Sequence, residues 1–319
     1  TSTTITDTAG NVSQPAVGGF TLDTVAPSAP SVAVPEAADN VVSAAEAASN
    51  GGTPIVTTLP ADAKVGDIVT TVVTDPNGNT YTLSYTLQAA DLPPAQGGSA
   101  TGTGPFTISQ LIPSTDLTVD GAWTTSTTIT DTAGNVSQPA VGGFTLDTVA
   151  PSAPSVAVPE AADNVVSAAE AASNGGTPIV TTLPADAKVG DIVTTVVTDP
   201  NGTTYTLSYT LQVADLPPAQ GGTASGNGPF TISQLIPSAD LTVDGAWSTS
   251  TTITDTAGNV SQPAVSYTTL DTVAPSAPSV AVPEAADNVV SAAEAASNGG
   301  TPIVTTLPAD AKVGDIVTT

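Results

Sequence analysis

The chain has 319 residues, with three Lys, no Arg and no His against 29 acidic residues, for a formal net charge of −26. Such a surface makes nucleic acid and anionic membranes poor partners, and the absence of Cys removes disulfides and thiolate metal sites. With 39% hydrophobic and 10% charged residues it is too apolar for a disordered acidic tail, yet it shows neither a continuous apolar span of membrane length nor the charged-then-apolar start of a signal peptide.

The stretch DTAGNVSQPAVGGFTLDTVAPSAPSV at Asp131 also begins at Asp7 and, slightly altered, at Asp255, which makes the chain a tandem array with a period of 124 residues. A unit of that size suits one domain with its own core. Cutting after the second aspartate of each copy gives a C-terminal repeat fragment at 1–23, full repeats at 24–147 and 148–271, and an N-terminal repeat fragment at 272–319, read as a window on a longer array. The full repeats differ only at positions 79, 89, 99, 101, 103, 115, 124, 142, 143 and 144, each compared with the position 124 further on. They must share one fold.

In chain order, Pro27, Pro30 and Pro35 predict an extended linker entering an edge strand near Ser31 to Val34, because proline fixes φ and removes a ladder donor. In ADNVVSAAEAASNGG, Ser43 and Glu46 have the spacing of a capping box on a short helical turn, ended by Asn50, Gly51 and Gly52. Thr53 to Leu59 and Asp67 to Thr74 are Val/Ile/Thr-rich runs bounded by turn residues and read as strands. After the DPNG turn at Asp75, YTLSYTLQ alternates throughout, placing Tyr81, Leu83, Tyr85 and Leu87 on one face. PPAQGGSATGTGP is a long loop, and Phe106 to Ile112, Trp123 to Thr130 and a last run ending at Leu146 complete the pattern, with Trp123 and Ile129 joining the core. About seven strands at ten-residue intervals predict an all-β fold, an Ig-like Greek-key sandwich in each repeat, arranged as an extended rod. The end fragments supply nothing equivalent to Val72 to Thr124, so they are not expected to complete one another.

Catalysis finds no support: with no His and one Lys per repeat, Lys64, no base is placed to activate a Ser or Thr nucleophile. EF-hand and β-roll calcium patterns are absent. What remains is acids in loops. Each has an ordinary reading, Asp131 and Asn135 as a hairpin turn, Glu46 as a cap, Asp147 as the start of a linker. Topology groups them nevertheless. In a seven-strand sandwich the loop with Asp39 and Glu46 lies at the trailing pole with Asp147, and in tandem this pole faces the next repeat's last hairpin, with Asp255 and Asn259. Converging carboxylates need a cation, and hard oxygen ligands suit Ca²⁺. The expected ligands are Asp39, Asn40, Glu46, Asp131, Asn135 and Asp147, with Asp163, Asn164, Glu170, Asp255, Asn259 and Asp271 in the second repeat. Asp7, Asn11 and Asp23 belong to the first fragment and Asp287, Asn288 and Glu294 to the last.

Taken together, ADNVVSAAEA at Ala38, TITDTAGNVS at Thr128 and LDTVAPSAP at Leu146 resemble the tandem bacterial Ig-like repeats of biofilm-associated (Bap-type) proteins and giant type I-secreted adhesins. The resemblance covers every copy. It implies an extracellular, calcium-stiffened extender on the bacterial surface or in a biofilm matrix, with the family's acidic positions falling on Asp39, Glu46, Asp131, Asp147 and their copies. The unit is longer than the family's usual repeat, chiefly around PPAQGGSATGTGP. Two functions compete: a passive spacer in a surface adhesin, whose partners are its neighbouring repeats, and a fibre former whose arrays associate laterally with other copies. The change of Gly143 to Tyr267 and Phe144 to Thr268 bears on the second.

Overall fold

The computed structural model describes residues 1–226 and 228–319, the side chain of Asn298 excepted. The chain opens with a short antiparallel pair, Ser2–Thr3 (β1) and Ala16–Val17 (β2). The next strands are Ser31–Ala33 (β3), Val41–Ser43 (β4), Gly52–Thr58 (β5), Ile68–Thr74 (β6), Thr80–Thr86 (β7), Thr107–Pro113 (β8), Gly121–Thr130 (β9) and Ala140–Asp147 (β10). They form a five-stranded sheet, β4-β10-β9-β6-β7, and a three-stranded sheet, β3-β5-β8. The helical turn Ala44–Ala48 (α1) carries the expected capping box: Ser43 accepts from the Glu46 N–H, and the Glu46 carboxylate accepts from the Ser43 N–H.

About seven strands were expected and there are eight, because the first strand is divided between the sheets. Its prolines leave only β3 able to pair antiparallel with β5. A 3-10 turn at Pro35–Ala37 and a left-handed Asn40, with φ of 71°, then carry the chain across to β4, which runs parallel to β10. The same arrangement recurs in Ser155–Ala157 (β11), Val165–Ser167 (β12), Ala168–Ala172 (α2), Gly176–Thr182 (β13), Ile192–Thr198 (β14), Thr204–Thr210 (β15), Thr231–Pro237 (β16), Gly245–Thr254 (β17) and Ala264–Asp271 (β18), with sheets β12-β18-β17-β14-β15 and β11-β13-β16. Ser279–Ala281 (β19) and Val304–Thr306 (β20) pair antiparallel, and the last capped turn is Ala292–Ala296 (α3).

By compactness the chain divides into two units. The first is Thr1–Ser152 with Asp186–Ile192 and Ile253–Ser261; the second is Ala153–Ala185, Val193–Thr252 and Gln262–Thr319.

In the first unit, alternation puts one face of each strand inside. Trp123, Val42, Ile55, Val73, Ile112, Phe144 and Leu146 are buried together, with Tyr81 and Leu83 packed on them. Leu87, Leu92, Ile108, Val69 and Ile129 form a neighbouring cluster with Tyr85. Tyr81, Trp123 and Phe144 stack in series, at 5.8 Å and 6.0 Å between centroids. The core also holds polar groups: Thr71 donates to the Gln110 Oε1 at 2.7 Å and lies 2.8 Å from the Thr127 hydroxyl, tying the two sheets together. In the second unit, Trp247 centres the cluster with Val158, Val166, Ile179, Val197, Ile236 and Leu270, and Thr195 bonds Gln234 and Thr251 as Thr71 does their counterparts. Thr268 stands where the first repeat has Phe144.

Candidate functional site

The first unit contains a junction, because the loops of Asp186–Ile192 and Ile253–Ser261 belong to it together with the end of β10 and the linker after it. The hairpin DTAGN makes its own frame. Asp131 Oδ1 accepts from the N–H groups of Ala133 and Asn135, and Oδ2 from the Asn135 Nδ2, at 2.8 to 2.9 Å. Gly134, with φ of 94°, supplies the left-handed residue that closes the turn. The Asn135 side chain, with these backbone N–H groups, holds the Asp131 carboxyl below its usual range. Asp7 makes the same turn with Asn11 and shifts the same way, and Asp255 makes it with Asn259.

Asn259 does more than close its hairpin. Its Nδ2 donates to the Asp147 carbonyl at 2.9 Å and to Asp255 Oδ2 at 3.0 Å, while its Oδ1 accepts from the Ala44 N–H at 2.9 Å. The residue is 6% exposed. Asn135 repeats part of this, donating to the Asp23 carbonyl at 3.2 Å. The linker is pinned as well: Thr148 donates through N–H and Oγ1 to Asp120 Oδ1, and Ser152 through N–H and Oγ to Asp186 Oδ2. Ser28 and Asp62 make the equivalent pair. Burial is the largest single influence on the Asp186 and Asp62 carboxyls, but the serine hydrogen bonds, with each residue's own backbone hydrogen bond and the nearby Lys188 or Lys64 charge, together outweigh it and hold both below the usual range.

Beside these contacts lies a pocket of about 430 Å³, lined by Asp120, Asp147, Asp186, Asp191, Asp255 and Lys188 among others. Asp191 is 1% exposed; its Oδ2 accepts from the Lys188 N–H at 2.7 Å and its Oδ1 has no partner. Burial pushes its carboxyl up, and the charge of Asp255 adds to that, against the Lys188 hydrogen bond. Asp67, with Asp23, Asp62, Asp131 and Lys64, repeats the arrangement around about 180 Å³, including the orphaned Oδ1 and the upward shift from burial. At Asp271, the Lys312 ammonium stands 3.8 Å from the carboxylate.

The expected ligands thus separate into two groups. Asp147, Asp255 and Asn259 do come together, as do Asp23, Asp131 and Asn135. The loop with Asp39, Asn40 and Glu46 does not offer its side chains to them. Asp39 Oδ1 accepts from the Val41 N–H, and Asp163 and Asp287 do likewise with Val165 and Val289. Asn40, Asn164 and Asn288 occupy left-handed turns, the carbonyls of the first two accepting from Thr145 and Thr269. Glu46, Glu170 and Glu294 are engaged in their capping boxes. Among the described residues no three acidic groups stand close enough to hold a metal ion as they are. The orphaned Asp67 and Asp191 oxygens are the features that suit a cation. Sequence reasoning missed them, along with Asp62, Asp186 and Asp120; the available signal was PADAKVGD, where two acids flank the repeat's single lysine.

No protein-family profile and no curated protein matches the chain. Among solved structures it is similar to a Ca²⁺-stabilized adhesin that helps an Antarctic bacterium bind ice, at 25% identity and a TM-score of 0.44, covering 95% of this chain and 69% of that one. It is also similar to a structure from a 1.5-MDa bacterial ice-binding adhesin, at 24% identity and TM-score 0.37, covering 85% and 73%. A third is a tetra-tandem repeat from the extending region of a large adhesion protein, at 21% identity and TM-score 0.30, covering 88% of this chain and 57% of that one.

Proposed function

We propose that the chain is a passive spacer, a stretch of the extender region of a large repetitive bacterial surface adhesin, with no enzymatic role. The observation that carries this reading is the recurrence of one joint: Asn135 meets the Asp23 carbonyl as Asn259 meets the Asp147 carbonyl, and Ser28–Asp62 matches Ser152–Asp186. A joint repeated with the sequence period is what an array built for length requires, and an extracellular place and a part in biofilm formation follow from the resemblance of its motifs. Calcium acts at the acidic pocket in this reading. Asp147, Asp186, Asp191 and Asp255 are the residues that would hold it, replacing the Asp39 and Glu46 expected from sequence, and it would neutralise carboxylates that otherwise repel. Isothermal titration with calcium tests the site: binding in the wild type that is halved in Asp191→Asn and lost in Asp67→Asn/Asp191→Asn supports it, and no binding to the wild type removes calcium from the account.

Lateral association into a fibre is the second reading. Tyr267, 73% exposed beside Val265 at 50%, favours it, since the first repeat has glycine at that position. Light scattering with and without calcium separates the two: a spacer remains monomeric in both.

A further inference from the structure

We infer that Asn259 is a metal-independent latch that fastens the Ile253–Ser261 loop to the end of the preceding repeat. This goes beyond the spacer reading and requires no cation. Each polar group of the residue is committed. Its backbone N–H donates to Asp255 Oδ1 and its carbonyl accepts from the Asp255 N–H, which fixes the hairpin. Its two amide hydrogens go to the Asp147 carbonyl and Asp255 Oδ2, and its amide oxygen receives the Ala44 N–H. The partners settle which way the amide points, because two acceptors face the nitrogen and a donor faces the oxygen. Three elements meet on one side chain: the last hairpin of one repeat, the final residue of β10, and the first residue of α1.

Near-complete burial makes the contact exacting. A buried amide that loses a partner leaves a desolvated group behind, so displacing the loop breaks several hydrogen bonds at once. An aspartate could not replace it, since a carboxylate would point a second oxygen at the Asp147 carbonyl and at Asp255. A calcium ligand, by contrast, would gain from that change. At Asn135 the amide nitrogen is bonded to the Asp23 carbonyl and Asp131, which carries the nitrogen half of the latch to the preceding joint.

The test uses the full chain, which has no native Cys, with Thr82→Cys and Thr206→Cys spin-labelled at exposed strand positions. Label-to-label distance distributions are measured in EGTA and in calcium. Ala44→Pro removes the Ala44 N–H without touching the hairpin, and both the extended Ser43 (φ −76°, ψ 171°) and the first helical position accept proline. With the latch, the wild type gives one narrow distribution in EGTA, and Asn259→Ala, Asn259→Asp and Ala44→Pro each lose it, Trp emission showing that both sandwiches remain folded. Distributions in EGTA that are the same for the wild type and Ala44→Pro overturn the latch, as does an Asn259→Asp variant that differs only by binding calcium more tightly. A wild-type distribution that ignores calcium counts against the cation, not against the latch.

Discussion

Phe144→Thr reproduces in the first repeat what the second carries naturally, and its cost follows from the packing. Phe144 is 5% exposed and stacks on Trp123 at 6.0 Å with 9° between planes. Losing its burial costs about 2 kcal/mol, and losing the stack costs about 1 kcal/mol more. The cavity term is smaller: the void beside Thr268 is about 20 Å³, which at about 24 cal/mol per Å³ adds roughly 0.5 kcal/mol. Ring transfer therefore dominates, and the total of about 3.5 kcal/mol should lower the melting temperature of this repeat by roughly 10 to 15 °C. Trp247→Phe leaves Trp123 as the only tryptophan, so its fluorescence reports the first repeat alone. A shift below about 2 °C would show that the ring contributes little and refute the reasoning. Thr268→Phe should not give a matching gain, because so small a void does not admit a phenyl ring, and overpacking costs about 1–3 kcal/mol.

Ser43→Ala removes the cap of α1 and should cost about 1 kcal/mol, read as a lower denaturant midpoint with unchanged slope. Gln110→Leu deprives Thr71 of its acceptor and should cost about 1–3 kcal/mol, whereas an exposed change such as Thr82→Ser should fall within about 0.5 kcal/mol. The pH profile in EGTA should rise and then fall on acidification. Asp67 and Asp191, whose carboxyls are raised by burial, penalise the folded state at neutral pH and cease to do so as pH falls through their folded pKa values, above 3.8. Asp62, Asp131 and Asp186, held below 3.8, stabilise the fold above that value and lose this as pH falls through their folded pKa values. Asp67→Asn should remove the rise in the first repeat, which thermal melts from pH 7 to pH 4 would detect.

The local chemistry was legible in the sequence. Ser43 and Glu46 announced the capping box through their spacing, and the alternation of YTLSYTLQ gave β7 and its inward face. The divided first strand was not, because the crossing from β5 to β10 depends on which ladder each short segment can join once the sandwich has closed, and only the prolines hinted at it. The junction was half legible. Counting acids in loops found Asp147 and Asp255, but it assigned Asn259 as a ligand because sequence does not reveal that its amide nitrogen meets a backbone carbonyl. Asp191 escaped for the opposite reason: like Asp67 it read only as the first residue of a strand, and its significance lies in burial and an unpartnered oxygen.

The spacer account stands most directly on small-angle scattering of the chain in millimolar calcium and in EGTA. With Asp147, Asp186, Asp191 and Asp255 gathered around one pocket and Asp23, Asp62, Asp67 and Asp131 around its counterpart, the account predicts a longer maximum dimension in calcium than in EGTA, and the two profiles should coincide in the double variant Asp67→Asn/Asp191→Asn. Identical wild-type profiles in the two conditions would contradict the claim that calcium sets the length of the spacer.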